Sequence, residues 1–185
     1  MLIKGFSLIE LMVTVGLVAI LMSVAVPSFK TMTSNSRIKT DRDKIIKSLQ
    51  FARSEAISKG LAISVCPSEN PESRLSPTCS KGSTDWSDGW LVYSDGSDSA
   101  DTTIVEVLRQ VPIQGDHIIT FAAGANEGGN IKDHFRFLSN GMLDPQVSTG
   151  TFSLCPRDNV ASPRSVVITP SSGQVKRGSG EQAQC

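Results

Sequence analysis

The chain has 185 residues, 39% of them hydrophobic and only 5% aromatic, with a formal net charge of +0. This length suits one domain plus an extra element and excludes two full domains, while the composition allows a modest core. The even charge balance hides an asymmetry, because apolar residues crowd the first thirty positions and cations dominate the next thirty. The basic segment holds Lys30, Arg37, Lys39, Arg42, Lys44, Lys47, Arg53 and Lys59 against Asp41, Asp43 and Glu55.

Residues Leu11 to Val26 read LMVTVGLVAILMSVAV. With Phe6, Leu8 and Ile9 the run reaches about 20 residues, enough for a helix to cross a hydrocarbon core of roughly 30 Å. Lys4 precedes it and favours keeping that end in the cytoplasm. An ordinary signal peptide would carry a small-residue cleavage site after the apolar stretch. This stretch passes instead into AVPSFK and a helical pattern, so the plausible cleavage point lies before it, at Gly5–Phe6. A plain membrane anchor would avoid Glu10, since a carboxylate in a membrane helix costs on the order of 2.5–3.5 kcal/mol. Cleavage after Gly5 would give Phe6 a free amine, four residues from Glu10. In a staggered stack of such helices, one subunit's Glu10 can meet its neighbour's amine, which makes the carboxylate a device for register.

The helix is expected to run from Phe6 to Lys59, with a kink or local melting at Pro27, which lacks an amide donor. Beyond it, Ile38, Ile45, Leu49, Ala52 and Ala56 recur at helical spacing, with Ile46 and Ile57 beside them. Gly60 is a good stop. The pattern then changes to short strands between turns. These are expected at Leu61–Cys66, Trp90–Ser94, Thr103–Val111, Ile118–Phe121, Phe135–Leu138, Thr151–Cys155, Val166–Thr169 and Gln174–Lys176. Turn signals include SDG at Ser94–Gly96, GG at Gly128–Gly129 and SNG at Ser139–Gly141, and Pro67–Asp88 reads as a long polar loop. Strands so short and numerous imply antiparallel sheet, hence an α+β fold.

Cys66, Cys79, Cys155 and Cys185 include no CxxC pair and no zinc spacing. An even count behind an export segment points to two disulfides in an oxidising compartment, with four free buried thiols as the alternative. Local pairing, Cys66–Cys79 and Cys155–Cys185, is preferred over the two crossed arrangements. The second bridge would tie down the C-terminal tail.

The string KGFSLIELMVTVGLVAILMSVAVPSF resembles the class III signal and N-terminal helix of type IV pilins and type II secretion pseudopilins. The resemblance implies cleavage by the prepilin peptidase after Gly5, N-methylation of Phe6, and a role for Glu10 in assembly. It also implies the type IV pilin fold, a long kinked N-terminal helix packed on a C-terminal antiparallel β-sheet domain. The expected parts are a leader at 1–5, a membrane and filament-core half of the helix at 6–29, an amphipathic half at 30–60 and a globular domain at 61–185. The strings LQFARSEAISKG, SDGWLVYSD, FRFLSNGML and VVITPSSGQVKRG are similar to the GspH/FimT-type group of minor pilins and pseudopilins. Members cap or prime a filament, so the expected partners are other minor pilins, the major pilin and the prepilin peptidase. The expected location is the inner membrane with the domain in the periplasm, then the pilus.

Catalysis finds little support. There is no G-x-S-x-G, phosphate loop or metal-ligand spacing, and His117 and His134 read as structural. No cofactor or metal is expected. Asp85, Asp88, Asp95, Asp98 and Asp101 lack the spacing of an EF-hand loop and suit turns. Trp86, Trp90 and Tyr93 read as core packing rather than a sugar platform. Some relatives in the group bind DNA through a C-terminal G-R-x-R motif. The matching string is Gly173-Gln174-Val175-Lys176, followed by Arg177, with Gln174 and Lys176 in place of the two arginines. A neutral Gln neutralises no phosphate. Arg164, Lys176 and Arg177 remain as a small candidate DNA-binding patch, with a solvated edge strand as the bland alternative.

Overall fold

The computed structural model describes residues 7–73, 76–80, 82–95, 104–113, 115, 117–123, 134–144, 150–157, 161–169, 172 and 174–185. A single helix, α1 (Leu8–Lys59), spans 52 residues and runs unbroken through Pro27. The lost donor at Pro27 does not melt a turn. The helix stops where Gly60 adopts φ 64° and its amide returns to Ala56 O. That left-handed conformation suits glycine, the usual closing residue of a helix.

The buried positions of α1 are Ile38, Asp41, Ile45, Ser48, Leu49, Ala52 and Ala56. They repeat every three or four residues, so one face of the helix's second half lies on the domain. Ile57 falls outside this stripe and is exposed.

Eight strands follow: β1 (Ile63–Pro67), β2 (Gly89–Ser94), β3 (Glu106–Pro112), β4 (His117–Ala123), β5 (Phe135–Phe137), β6 (Gly150–Pro156), β7 (Arg164–Ile168) and β8 (Val175–Gly178). All eight expected strands are present, most with shifted ends, while the end at Ser94 and the start at Phe135 fall where expected. The start of the third, Thr103, and the turn glycines Gly96, Gly128 and Gly129 lie outside the described residues. The strands form two four-stranded antiparallel sheets, ordered β3-β2-β1-β5 and β4-β6-β7-β8. The helix packs on both, chiefly on β1 and β7.

An aromatic cluster joins the sheets. Trp86 lies 5.8 Å from Phe135 of the first sheet and 5.0 Å, edge-on, from Phe152 of the second. Phe121 meets Phe135 edge-on at 4.9 Å. Edge-to-face contacts of this kind add about 0.5–1.5 kcal/mol each beyond area burial. Trp86 reaches the cluster because Thr84–Trp86 pairs with the free edge of β4, through Trp86 N to Ile119 O and Phe121 N to Thr84 O. The end of the Pro67–Asp88 loop is therefore part of the core, contrary to its polar sequence.

The strands β1 and β2 are buried on both faces. Val65, Trp90 and Val92 face the helix, while Cys66, Leu91 and Tyr93 form a second apolar cluster with Cys79 and Ile104. The Cys66–Cys79 disulfide holds the loop over that outer face. At Gly89, φ is 132° and an added Cβ would lie 2.2 Å from Val111 O, so only glycine lets β3 close against β2.

Beside this cluster lies a buried charge network that spacing alone does not reveal. Arg136 Nε donates to Asp95 Oδ2 at 2.6 Å and Arg136 Nη1 to Asp144 Oδ2 at 3.1 Å. All three residues are buried, and Ser64 Oγ donates to the same Asp95 oxygen. Burial works against the Arg136 charge, but its two carboxylate partners hold its pKa above the usual value.

Removing Arg136 would strand two carboxylates in the interior, a change that typically costs about 3–5 kcal/mol. Arg136→Met should lower domain stability by that amount in the detergent-solubilised full chain. Both tryptophans, Trp86 and Trp90, lie in the domain core. Their fluorescence during guanidinium unfolding reads the domain directly, and an unchanged midpoint would contradict the assignment.

Candidate functional site

The first half of α1 packs against no other element among the described residues. Every residue from Ser7 to Met32 is exposed, including Leu8 at 77% and Phe29 at 69%. The helix contains an 18-residue window of mean hydropathy 2.4, with none of it buried. From Leu8 to Phe29 it extends about 33 Å at a 1.5 Å rise per residue, close to the thickness of a hydrocarbon core. A helix apolar on all sides requires lipid or other helices around it.

Glu10 stands in the first turn of this segment, exposed, with no hydrogen bond or ion pair among the described residues. Its place near the positive end of the helix dipole offsets only about 0.3–1 kcal/mol of the cost of burial. Gly5 and Phe6 lie outside the described residues.

The second half of α1 is fixed by polar contacts at its lower end. Asp41 is buried, 2.7 Å from Lys44 Nζ and 3.1 Å from His117 Nε2 on β4. The His117 contact is a charge-distance approach that falls outside hydrogen-bond geometry. Burial alone would raise the Asp41 pKa, but His117 and Lys44 outweigh it and hold the carboxyl below its ordinary value of 3.8. Asn35 Oδ1 accepts from Ser162 N at 3.1 Å, and Asp43 accepts an ion pair from Arg177 at 3.3 Å. These ties set where the free half of the helix leaves the domain.

At the other end of the chain, Cys155 is bonded to Cys185, with Cα atoms 5.7 Å apart. The tail crosses the outer face of the second sheet. Gln184 N donates to Ser153 Oγ, and Ser165 Oγ donates to Ser179 O. Ser153 and Ser165 are register partners on that face, and both are buried.

The three candidate DNA-binding cations do not share one surface. Arg177 lies opposite Val166, whose side chain is in the core, and Lys176 lies opposite Val167. Strand alternation therefore turns Lys176 and Arg177 to opposite faces. Arg177 is paired with Asp43, and Arg164 is half-buried beside Leu154 on the helix-facing side. Gly173 lies outside the described residues.

The acidic group also disperses. Asp85 accepts from Ser87 in a turn, Asp95 is buried against Arg136, Asp88 is exposed, and Asp98 and Asp101 lie outside the described residues. Trp86, Trp90 and Tyr93 are buried.

Residues 42–173 match the family described as type II transport protein GspH, and residues 1–26 match the prokaryotic N-terminal methylation motif. Two crystal structures of the type IV minor pilin FimU from Pseudomonas aeruginosa PAO1 share the fold, with TM-scores of 0.56 and 0.52 and 22% identity. The matches cover 83% and 79% of this chain and 96% of each of theirs. A search of curated proteins gave no match. The architecture is thus the type IV pilin fold.

Because its folded pKa is depressed, Asp41 contributes stability above the ordinary carboxylate value that is lost as pH falls through the lower, folded value. Acid titration of domain unfolding should show a loss beginning below about pH 5. Asp41→Asn should be less stable at neutral pH and lose less across that window. Identical acid slopes for both proteins would contradict a role for this carboxylate.

Proposed function

Because the chain belongs to the GspH family of type II transport proteins, we propose that it is a minor pilin of a type IV pilus. In this reading the prepilin peptidase cuts after Gly5, and Phe6 becomes the N-methylated first residue. The helix waits in the inner membrane with the domain in the periplasm. It then passes into a filament, where the subunit joins other minor pilins at the tip and primes addition of the major pilin. Its work is structural, and no step calls for catalysis or a cofactor.

One observation carries the reading: among the described residues, the chain's own domain leaves an apolar half-helix uncovered, with a single carboxylate in it that has no partner there. Lipid can cover the apolar surface but cannot neutralise Glu10 cheaply. A neighbouring helix that begins with a free amine can do both. The methylation motif at residues 1–26 supports this, because it includes Gly5, Phe6 and Glu10. The two disulfides fit a domain that folds outside the cytoplasm.

A second reading, a minor pseudopilin of type II secretion, is favoured by the description of the matched family. The two share the assembly chemistry and differ in the filament joined. Recovery of the subunit with sheared pili, rather than with secretion-machinery pseudopilins, separates them.

Glu10→Ala should leave the protein inserted and cleaved but reduce its amount in sheared filaments at least about tenfold, the equivalent of a lost interaction of about 1.4 kcal/mol. Quantitative immunoblotting of filament and membrane fractions makes the test. Equal recovery of variant and wild type would refute the role given to Glu10.

A further inference from the structure

The segment immediately beyond the apolar span carries three cations, Lys30, Arg37 and Lys39, and no acid before Asp41. All three are exposed, and none has a hydrogen bond or ion pair among the described residues. Asp41 is already paired with Lys44 and packed against His117. The arrangement opposes the usual topology signal, in which cations near a span collect on the cytoplasmic side. Here three cations follow the span within ten residues of Phe29, on the side of the disulfide-bonded domain. Cations placed against the orientation of the chain imply a use on that side.

Their depth suggests which use. Lys30 lies one residue past Phe29, at the edge of the hydrocarbon, where a long cationic side chain can extend to the headgroups. Arg37 is seven residues further, nearly two full turns, so it shares the face of Lys30. Its Cα stands about 12 Å beyond the apolar end at 1.5 Å per residue. Helical side chains lean toward the N-terminus, so the guanidinium reaches back toward the bilayer. The headgroup layer is roughly 5–8 Å thick per leaflet, which brings both cations to phosphate level. Arg37 also borders an open groove of about 330 Å³ between the helix and Gly115, lined in addition by Thr33, Ser36, Thr40, Lys44 and the Asp41 carboxylate that Lys44 pairs.

We infer that Lys30 and Arg37 form a headgroup site for an anionic glycerophospholipid in the periplasmic leaflet. Arg37 holds the phosphate from the groove side and Lys30 from below. The site fixes the depth of the subunit while it waits for assembly, and the lipid is left behind when the helix enters a filament. The inference rests on the membrane-anchored reading given under Proposed function.

The test uses the full chain reconstituted in vesicles of phosphatidylcholine with one-third phosphatidylglycerol, then lifted into mild detergent for native mass spectrometry of retained lipid. In wild type the ratio of retained phosphatidylglycerol to phosphatidylcholine should be at least about fivefold that of the vesicle, the factor a single cation supplies at an anionic surface. Lys30→Gln with Arg37→Gln should fall to the vesicle ratio, and Lys30→Arg with Arg37→Lys should keep the enrichment. These positions are exposed, so the domain should fold in every variant. Resistance to alkaline extraction checks the anchor separately, so loss of enrichment in a firmly inserted protein overturns this site and leaves the anchor standing. Enrichment that survives the double Gln variant overturns it too. Displacement of the lipid by millimolar inorganic phosphate would assign the groove to a free anion instead. No enrichment in wild type, together with poor filament incorporation of the double Gln variant, would assign the cations to a neighbouring subunit and overturn the lipid site.

Discussion

A carboxylate on an otherwise apolar helix that its own protein does not cover is the constraint around which this molecule is organised. Glu10 has no partner within the described chain, and the surface around it is exposed throughout. Burying an ionised group in oil is costly unless an opposite charge meets it in good geometry. On the proposed function, the isolated subunit is therefore incomplete in a defined way. It lacks one cation at one height, surrounded by apolar contacts along about 33 Å of helix.

The domain supplies the fixed end of that lever. The stripe from Ile38 to Ala56 seats half of the helix on two sheets, and Asp41, Asn35 and Asp43 tie its lower end to β4, the 161–163 segment and β8. The aromatic cluster then locks one sheet to the other through Trp86. The two disulfides act on surfaces the core does not reach: Cys66–Cys79 holds a loop on the outer face of the first sheet, and Cys155–Cys185 holds the tail on that of the second. Such cross-links restrict the unfolded chain most where loops are long; on the chain-entropy account the 30-residue separation of Cys155 and Cys185 corresponds to about 3–4 kcal/mol.

Much of this was legible in the sequence because the signals are local. Helical spacing from Ile38 to Ala56 marks the buried stripe, Gly60 marks its end, and each strand lies between turn residues. The Arg136–Asp95–Asp144 network was not legible, because Arg136 and Asp95 are 41 residues apart and meet only when β5 pairs with β1. The same holds for Asp41 and His117. Thr84–Trp86 reads as loop because its pairing partner, β4, comes more than thirty residues later and only one isolated bridge forms. The separation of Lys176 from Arg177 was legible, since neighbours on a strand point to opposite faces. Their adjacency in sequence suggests a patch that the pleat divides.

In the proposed filament, the group that neutralises Glu10 is the amino terminus of another subunit. A lipid-soluble carbodiimide converts a buried carboxylate and an amine in contact with it into an amide, with loss of water and no added spacer. Applied to purified filaments and followed by peptide mass spectrometry, it should join the Glu10 peptide to the N-terminal residue of another subunit. Recovery of an unlinked Glu10, on chains that still carry Met1–Gly5 and disperse as monomers, would contradict the account.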